Sequence, residues 1–159
     1  MKLIQMKELI KIINYIANHS TELKNRFTNA STSSIEFVCI FCQNEEECKE
    51  FTNSMQTLGK IVQKTESGYI YLLDEPVNTV SGPLRLVKIR KPDPQRPERG
   101  DADFNTDYKN FKKRYQRSPR FELIKRETFE MLRLSSPNFN VMACFSNIPK
   151  SKDLCIKLS

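Results

Sequence analysis

Apolar residues Leu3, Met6, Ile10, Ile13 and Ala17 recur at helical spacing, with Leu9 and Ile16 widening the stripe. Residues 2–18 therefore predict an amphipathic helix that packs on a larger body. The segment 25–34 that follows is rich in Ser, Thr and Asn and reads as a loop. The pattern then changes to a compact apolar run, Ile35 to Cys42, typical of a buried strand. Asn44 suits the N-cap of a helix whose first turn carries Glu45, Glu46 and Glu47, where the macrodipole favours them. Cys48, Phe51, Met55 and Leu58 supply its apolar face, and Gly59 fits the C′ position. Lys60 to Thr65 and Tyr69 to Leu73 read as strands joined by a Glu-Ser-Gly turn. After a loop, residues 74–82, a third strand sets Leu84, Leu86, Lys88 and Arg90 against Arg85, Val87 and Ile89. The order is strand, helix, strand, strand, strand.

The second half repeats that order with shorter pieces. Asp101 to Thr106 reads as a strand, and Asp107 caps a helix through Arg117 with Tyr108, Phe111 and Tyr115 as its apolar stripe. Ser118-Pro119 ends it. Phe121 to Arg126, Phe129 to Leu134 and Phe139 to Phe145 read as strands separated by short turns. The expected organisation is an N-terminal helix and linker over 1–33 and a paired domain over 34–147. That domain divides into units 34–91 and 100–147, and a tail follows over 148–159. The expected fold class is α+β: two tandem βαβββ units forming a curved mixed sheet, with an added N-terminal amphipathic helix.

Composition narrows the chemistry. The chain has 159 residues, 38% of them apolar, and a net charge of +7, enough for one domain with a real core. Only four glycines occur, with neither a G-x-G-x-x-G nor a G-x-x-x-x-G-K-[ST] motif, so the simplest nucleotide loops are excluded. The charge is uneven: residues 85–126 hold 14 Lys/Arg against 6 Asp/Glu. That bias points to an anionic ligand, a nucleic-acid surface or a solvated basic face. Five cysteines, an odd number, do not read as a disulfide framework. Lys7, Glu8, Lys11 and Asn14 interrupt the first apolar run, which excludes it as a membrane span, and a cytoplasmic, reduced protein is the expectation.

With Ile35-Glu36-Phe37 before the helix at 44–59, Arg85–Arg90 closing one half and Gly100–Phe104 opening the other, the tandem pattern resembles the vicinal-oxygen-chelate superfamily. That superfamily contains glyoxalase I, extradiol dioxygenases and bleomycin-resistance proteins. The resemblance implies a small molecule held in the cavity of the sheet, by a lyase or isomerase or by a simple binder, and pairing as a homodimer is common among such proteins. It also implies metal ligands from the first and last strands of each unit. Carried over by position, these fall near Glu36 and Asp101, near Lys88, and near Cys144 or Asn147. An ammonium cannot ligate a divalent ion, so a metal cofactor is disfavoured and a degenerate site is expected. The single histidine, His19, lies outside the repeat.

In place of a metal, Glu36, Lys88 and Asp101 are expected to meet as an ion cluster, which must be mutually satisfied because each desolvated ion costs several kcal/mol. Glu36, Asp101 and Glu130 are the candidate catalytic carboxylates. Asp103 shares a strand face with Asp101, and such a pair can serve as acid and base when burial separates their pKa values. Lys88, Arg90, Arg96, Arg99 and Asp103 are candidate ligand contacts, the guanidinium groups because they grip carboxylate or phosphate in two-point fashion. The bland alternative is that the connector arginines pair with Asp93, Glu98 or Asp101 and fix the loop. Cys39 and Cys42 lie in one apolar strand on opposite faces, so they read as buried structural thiols rather than a zinc pair. A second functional reading is a nucleic-acid-associated protein using the basic helix 107–117 and the connector 91–100, although the helix lacks interleaved aromatic platforms.

Overall fold

The computed structural model describes residues 2–158; residues 1 and 159 lie outside that description. The chain runs α1 (Lys2–Phe27), β1 (Ile35–Phe41), α2 (Glu45–Leu58), β2 (Gly59–Thr65), β3 (Gly68–Thr79), β4 (Gly82–Arg90), β5 (Gly100–Phe104), α3 (Tyr108–Tyr115), β6 (Phe121–Lys125), β7 (Glu130–Leu134), β8 (Val141–Ser146) and α4 (Lys150–Asp153). The eight strands form a single sheet in the order β2-β3-β4-β1-β5-β8-β7-β6. Each half is a βαβββ unit whose first and last strands run parallel. The two units join through the antiparallel pair β1 and β5. The sheet is mixed and not strongly curled, with β2 and β6 left as separate edges.

The β1–β5 register carries the internal symmetry. Phe37 pairs with Asp103 and Cys39 with Asp101. A two-fold axis between the strands therefore exchanges Phe37 with Asp101 and Cys39 with Asp103. The same operation carries Lys88, the β4 partner of Cys39, onto Cys144, the β8 partner of Asp103. Gly100 permits this close pairing, because a Cβ there would stand 2.2 Å from the Cys39 carbonyl oxygen.

One face of the sheet is dry. Leu9, Ile13, Ile16, Ala17 and Leu23 of α1 are fully buried in the main core, with Val38, Ile40, Val87, Ala102, Ala143 and Phe145 from the sheet. The stripe centres on Leu9, Ile13 and Ile16, and the expected outer member Leu3 stands 63% exposed. The helix also continues past residue 18 to Phe27, into the first three residues of the segment expected as loop. Polar residues extend it because they find partners: Ser20 donates to the Met142 carbonyl at 2.9 Å, and buried Lys24 donates to Asn25 and to the Ala30 carbonyl. Burial lowers the Lys24 pKa.

Asn44 caps α2 by accepting the Glu47 N–H at 2.8 Å. Gly59 is extended rather than left-handed, and its requirement is space, since a Cβ would lie 2.3 Å from the Leu72 carbonyl oxygen. Asp107 makes no side-chain cap bond to α3. That helix is held instead by Phe111, which stacks on Phe145 with ring centroids 4.2 Å apart. Leu84 faces the main core with Val87 and Ile89, against the simple alternation expected of its strand, where the β3–β4 register shifts.

The last residues do not trail into solvent. Leu154, Ile156 and Leu158 pack on the opposite, concave face of the sheet against Phe37, Ile70, Leu72 and Leu86. Cys155, with φ of 56°, ends α4 in a left-handed turn, where its N–H and that of Ile156 donate to Lys152 and Ser151 carbonyls. This is the backbone turn that glycine normally supplies.

Replacing Gly100 with alanine would force the central strands apart. We expect a loss of about 1–3 kcal/mol, typical of inserting atoms where nothing can yield, read as a fall in Tm by calorimetry.

Candidate functional site

The concave face holds a cavity of about 270 Å³ whose floor is the central strands. Phe37, Cys39 and Phe41 of β1, Lys88 and Arg90 of β4, and Asp101 and Asp103 of β5 line it. Cys144, Met131 and Arg133 close it from the second unit, and Arg126, Phe129 and Lys150 come from the loops and the tail. Strand register explains the convergence. Lys88, Cys39, Asp101 and Met142 lie in one row across four strands. Phe37, Asp103, Cys144 and Arg133 make the next.

Asp101, Asp103 and Cys144 each bring a ligand-type atom within 4.8 Å of the others. Cys144 Sγ donates to Asp101 Oδ2 at 3.7 Å. Burial pushes the Asp101 carboxyl up to about 6, while Arg133, Arg90 and Lys88 pull it down. Burial and the neighbouring Asp101 push Asp103 further, to about 8. Two carboxyls this close do not ionise together readily. Burial raises the Cys39 and Cys144 thiols well above their usual range, so both remain protonated at neutral pH.

Five cations share this cavity. Lys88 donates to Ser67 at 2.7 Å, and burial lowers its pKa. Arg90 pairs with Asp93 at 3.2 Å, Arg133 with Glu122 at 2.8 Å and Lys150 with Asp153 at 3.6 Å. Among the described residues no ion pair within 4 Å joins these cations to Asp101 or Asp103.

The sequence candidates divide. Lys88, Arg90, Asp101 and Asp103 line the cavity, but the expected three-way ion cluster does not form. Glu36 lies one residue from Phe37, the true counterpart of Asp101, at a register irregularity in β1. Its carboxylate accepts the Ser151 N–H at 2.7 Å and an Asn105 amide at 3.1 Å. In effect it caps α4, whose N-cap residue Pro149 makes no side-chain cap bond. Glu130 sits outside the cavity, bound by Tyr108 and Lys112, both at 2.7 Å, and these contacts lower its pKa. It does share a face with Leu132, but that face is the core side. Arg99 donates to the Phe41 carbonyl and pairs with Glu47 at 2.8 Å. Arg96 sits 4.0 Å from Glu98. The connector arginines thus fix the loop. Asn147 accepts the Glu130 N–H and is likewise outside.

Arg133 was legible in principle, because an arginine alternating with Leu132 and Leu134 must face away from the core. Arg126 and Lys150 were not, since loop and tail placement leaves no periodic signal.

The residues do not fit a divalent metal of the kind the resemblance implies. Two of the four symmetry-related positions are Phe37 and Lys88, which cannot ligate. The remaining two, Asp101 and Cys144, with Asp103 beside them, form an incomplete set with raised pKa values and guanidinium neighbours.

Compared with solved structures, the chain matches one described as "Structural Genomics, Protein EC4020" with a TM-score of 0.74 and 11% identity, over 95% of this chain and 92% of that one. The fold is shared. A glyoxalase/bleomycin resistance protein/dioxygenase superfamily member from Vibrio splendidus 12B01 matches with a TM-score of 0.46 and 11% identity, over 72% of this chain and 98% of that one. No protein-family model and no curated protein matches the sequence. With its paired, symmetric units joined into one mixed sheet, the architecture is a tandem βαβββ fold. No described helix is long and apolar enough to cross a membrane.

Because both carboxyl pKa values are raised, the folded chain holds protons that the unfolded chain, with carboxyls near 4, releases. This stability is present at low pH and is lost as pH rises through about 6 to 8. Asp103→Asn should therefore stabilise the protein at pH 9 by roughly 2–4 °C for each kcal/mol recovered, with little gain at pH 4. Thermal melts across that range would show it, and an equal gain at both ends would contradict the assignment.

Proposed function

We propose that this protein holds a small anionic molecule in the concave cavity, using Lys88, Arg90 and Arg133 where a metal would otherwise neutralise it. The observation that carries this reading is the charge of the lining: five cations face two carboxyls whose ionisation burial opposes. Near neutral pH the space is net positive and walled by Phe37, Phe41 and Phe129, so a desolvated anion gains more there than on an open surface. Arg133 is nearly fully buried yet retains a face toward the cavity, the placement expected of a group that grips a carboxylate.

Asp101 and Asp103 add a proton-transfer capacity. Asp101 ionises before Asp103, so near pH 7 the pair offers a base and an acid side by side. A bound acid with an exchangeable proton would meet both. The site is therefore equipped for isomerase- or lyase-like chemistry as well as for binding, with Asp101 as the base.

The nucleic-acid reading gains no support from this geometry. The connector arginines are spent on Glu47 and Glu98, Lys112 on Glu130, and the aromatic residues of α3 on the core.

Isothermal titration with sulfate and malonate tests the reading. Affinity should rise as pH falls from 8.5 to 5.5, because protonating the two aspartates removes competing negative charge. Arg133→Gln and Lys88→Ala should each weaken binding about tenfold or more, as expected for loss of one charge-assisted contact of roughly 1.5–3 kcal/mol. Mg²⁺, Mn²⁺ and Zn²⁺ should leave Tm unchanged. Stabilisation by a metal, or anion affinity indifferent to both substitutions, would refute it.

A further inference from the structure

The concave face has a second compartment beside the charged one. Phe37, Ile70, Leu72 and Leu86 form an apolar strip across β1, β4 and β3. Phe37 belongs to both, since it also lines the cavity. The strip is covered by the chain's own Leu154, Ile156 and Leu158. These three are half-buried and alternate with exposed Cys155 and Lys157; Leu154 and Cys155 form the turn that ends α4, and residues 156–158 follow it outside any helix or strand. It forms no strand with the sheet. The polar ties that fasten it are few: Glu36 to the Ser151 N–H, and Arg85 Nη1 to the Leu158 carbonyl at 3.1 Å. The left-handed turn at Cys155 sets its direction after α4.

We propose that residues 154–158 occupy, in cis, a binding groove for the apolar body of a carboxylic acid whose carboxylate sits among Lys88, Arg90 and Arg133. The inference rests on the anion-binding reading and names its ligand class: amphiphilic monocarboxylates rather than compact polyanions. Three features argue for this occupant. The strip continues directly from the cationic cavity through Phe37. Its present cover shows that alternating aliphatic groups fit it. The strip spans two strand spacings, about 10 Å, which suits a chain of eight carbons. A ligand of this class competes with the strap, and whatever loosens the strap raises the ligand's apparent affinity.

Hydrogen–deuterium exchange and calorimetry on the full chain, with acetate, octanoate and octanol, test it. Octanoate should bind at least tenfold more tightly than acetate and should raise exchange over residues 150–158, while acetate leaves that segment protected. Ile156→Ser, which weakens the strap without touching the cationic cavity, should tighten octanoate about fivefold and leave acetate unchanged. Octanoate binding no tighter than acetate, or binding with no change in exchange at 150–158, would overturn the groove while leaving the anion site standing. Octanol releasing the strap as well as octanoate does would overturn the requirement for an acid. Failure of acetate, octanoate and sulfate alike to bind would remove the anion reading and this inference with it.

Discussion

The antiparallel pairing of β1 with β5 is the constraint on which the rest depends. Each four-stranded unit ends at one of these strands, and only their union makes a single sheet with two distinct faces. Side chains alternate along a strand, so a slip of one residue in this register would turn Asp101 and Asp103 toward the helix face. There they would meet Ile16 and Ala17 of α1, with no polar partner and no water. Two carboxyls without partners in that layer, even protonated, would cost a large part of the domain's margin of stability. The register is thus enforced from both sides, by apolar residues that need the helices and by acids that cannot tolerate them. Gly100 lets the backbones meet closely enough for that enforcement to act.

The same pairing concentrates charge on the concave face, and the protein compensates for it unevenly. Four of the five cations, Lys88, Arg90, Arg133 and Lys150, are given a partner at the rim or beyond it, namely Ser67, Asp93, Glu122 and Asp153. The carboxyls are not, beyond a thiol donor to Asp101 and a hydroxyl beside Asp103. Protonation does for the acids what pairing does for the cations. The result is a cavity whose charge is set by two titrating groups rather than by a fixed ion.

Much of the fold was readable because it rests on local pattern. Strand runs, the Asn44 cap and the repeated order of elements each follow from a few neighbouring residues. The helix α1 was read short because Ser20, Thr21 and Lys24 are polar. Only the tertiary partners Met142, Ser81 and Ala30 reveal why they continue the helix. The site was readable where alternation suffices, at Lys88, Asp101 and Asp103. It failed at Glu36, where a register irregularity displaces the expected counterpart by one residue. Glu130, expected among the catalytic carboxylates, alternates with Met131 and so lies on the core side of its strand with Leu132. The role of the tail was invisible, since Leu154, Ile156 and Leu158 gain meaning only from an apolar strip assembled from three distant strands.

Comparing the two units position by position shows how far they have parted. The symmetry exchanges Phe37 with Asp101, Cys39 with Asp103, and Lys88 with Cys144. The first unit therefore contributes a cation and apolar surface, and the second contributes the acids and a thiol. A centre built for a symmetric ion would need like donors from both units, and these residues are unlike at every exchanged pair. The cavity is therefore asymmetric, with its carboxyls toward the second unit and the apolar strip toward the first. The strap has the same polarity, with Lys150 at the cavity and Ile156 and Leu158 over the apolar strip. Its fit follows from that division: the segment that covers the face sets a cation against the charged compartment and aliphatic side chains against the apolar one.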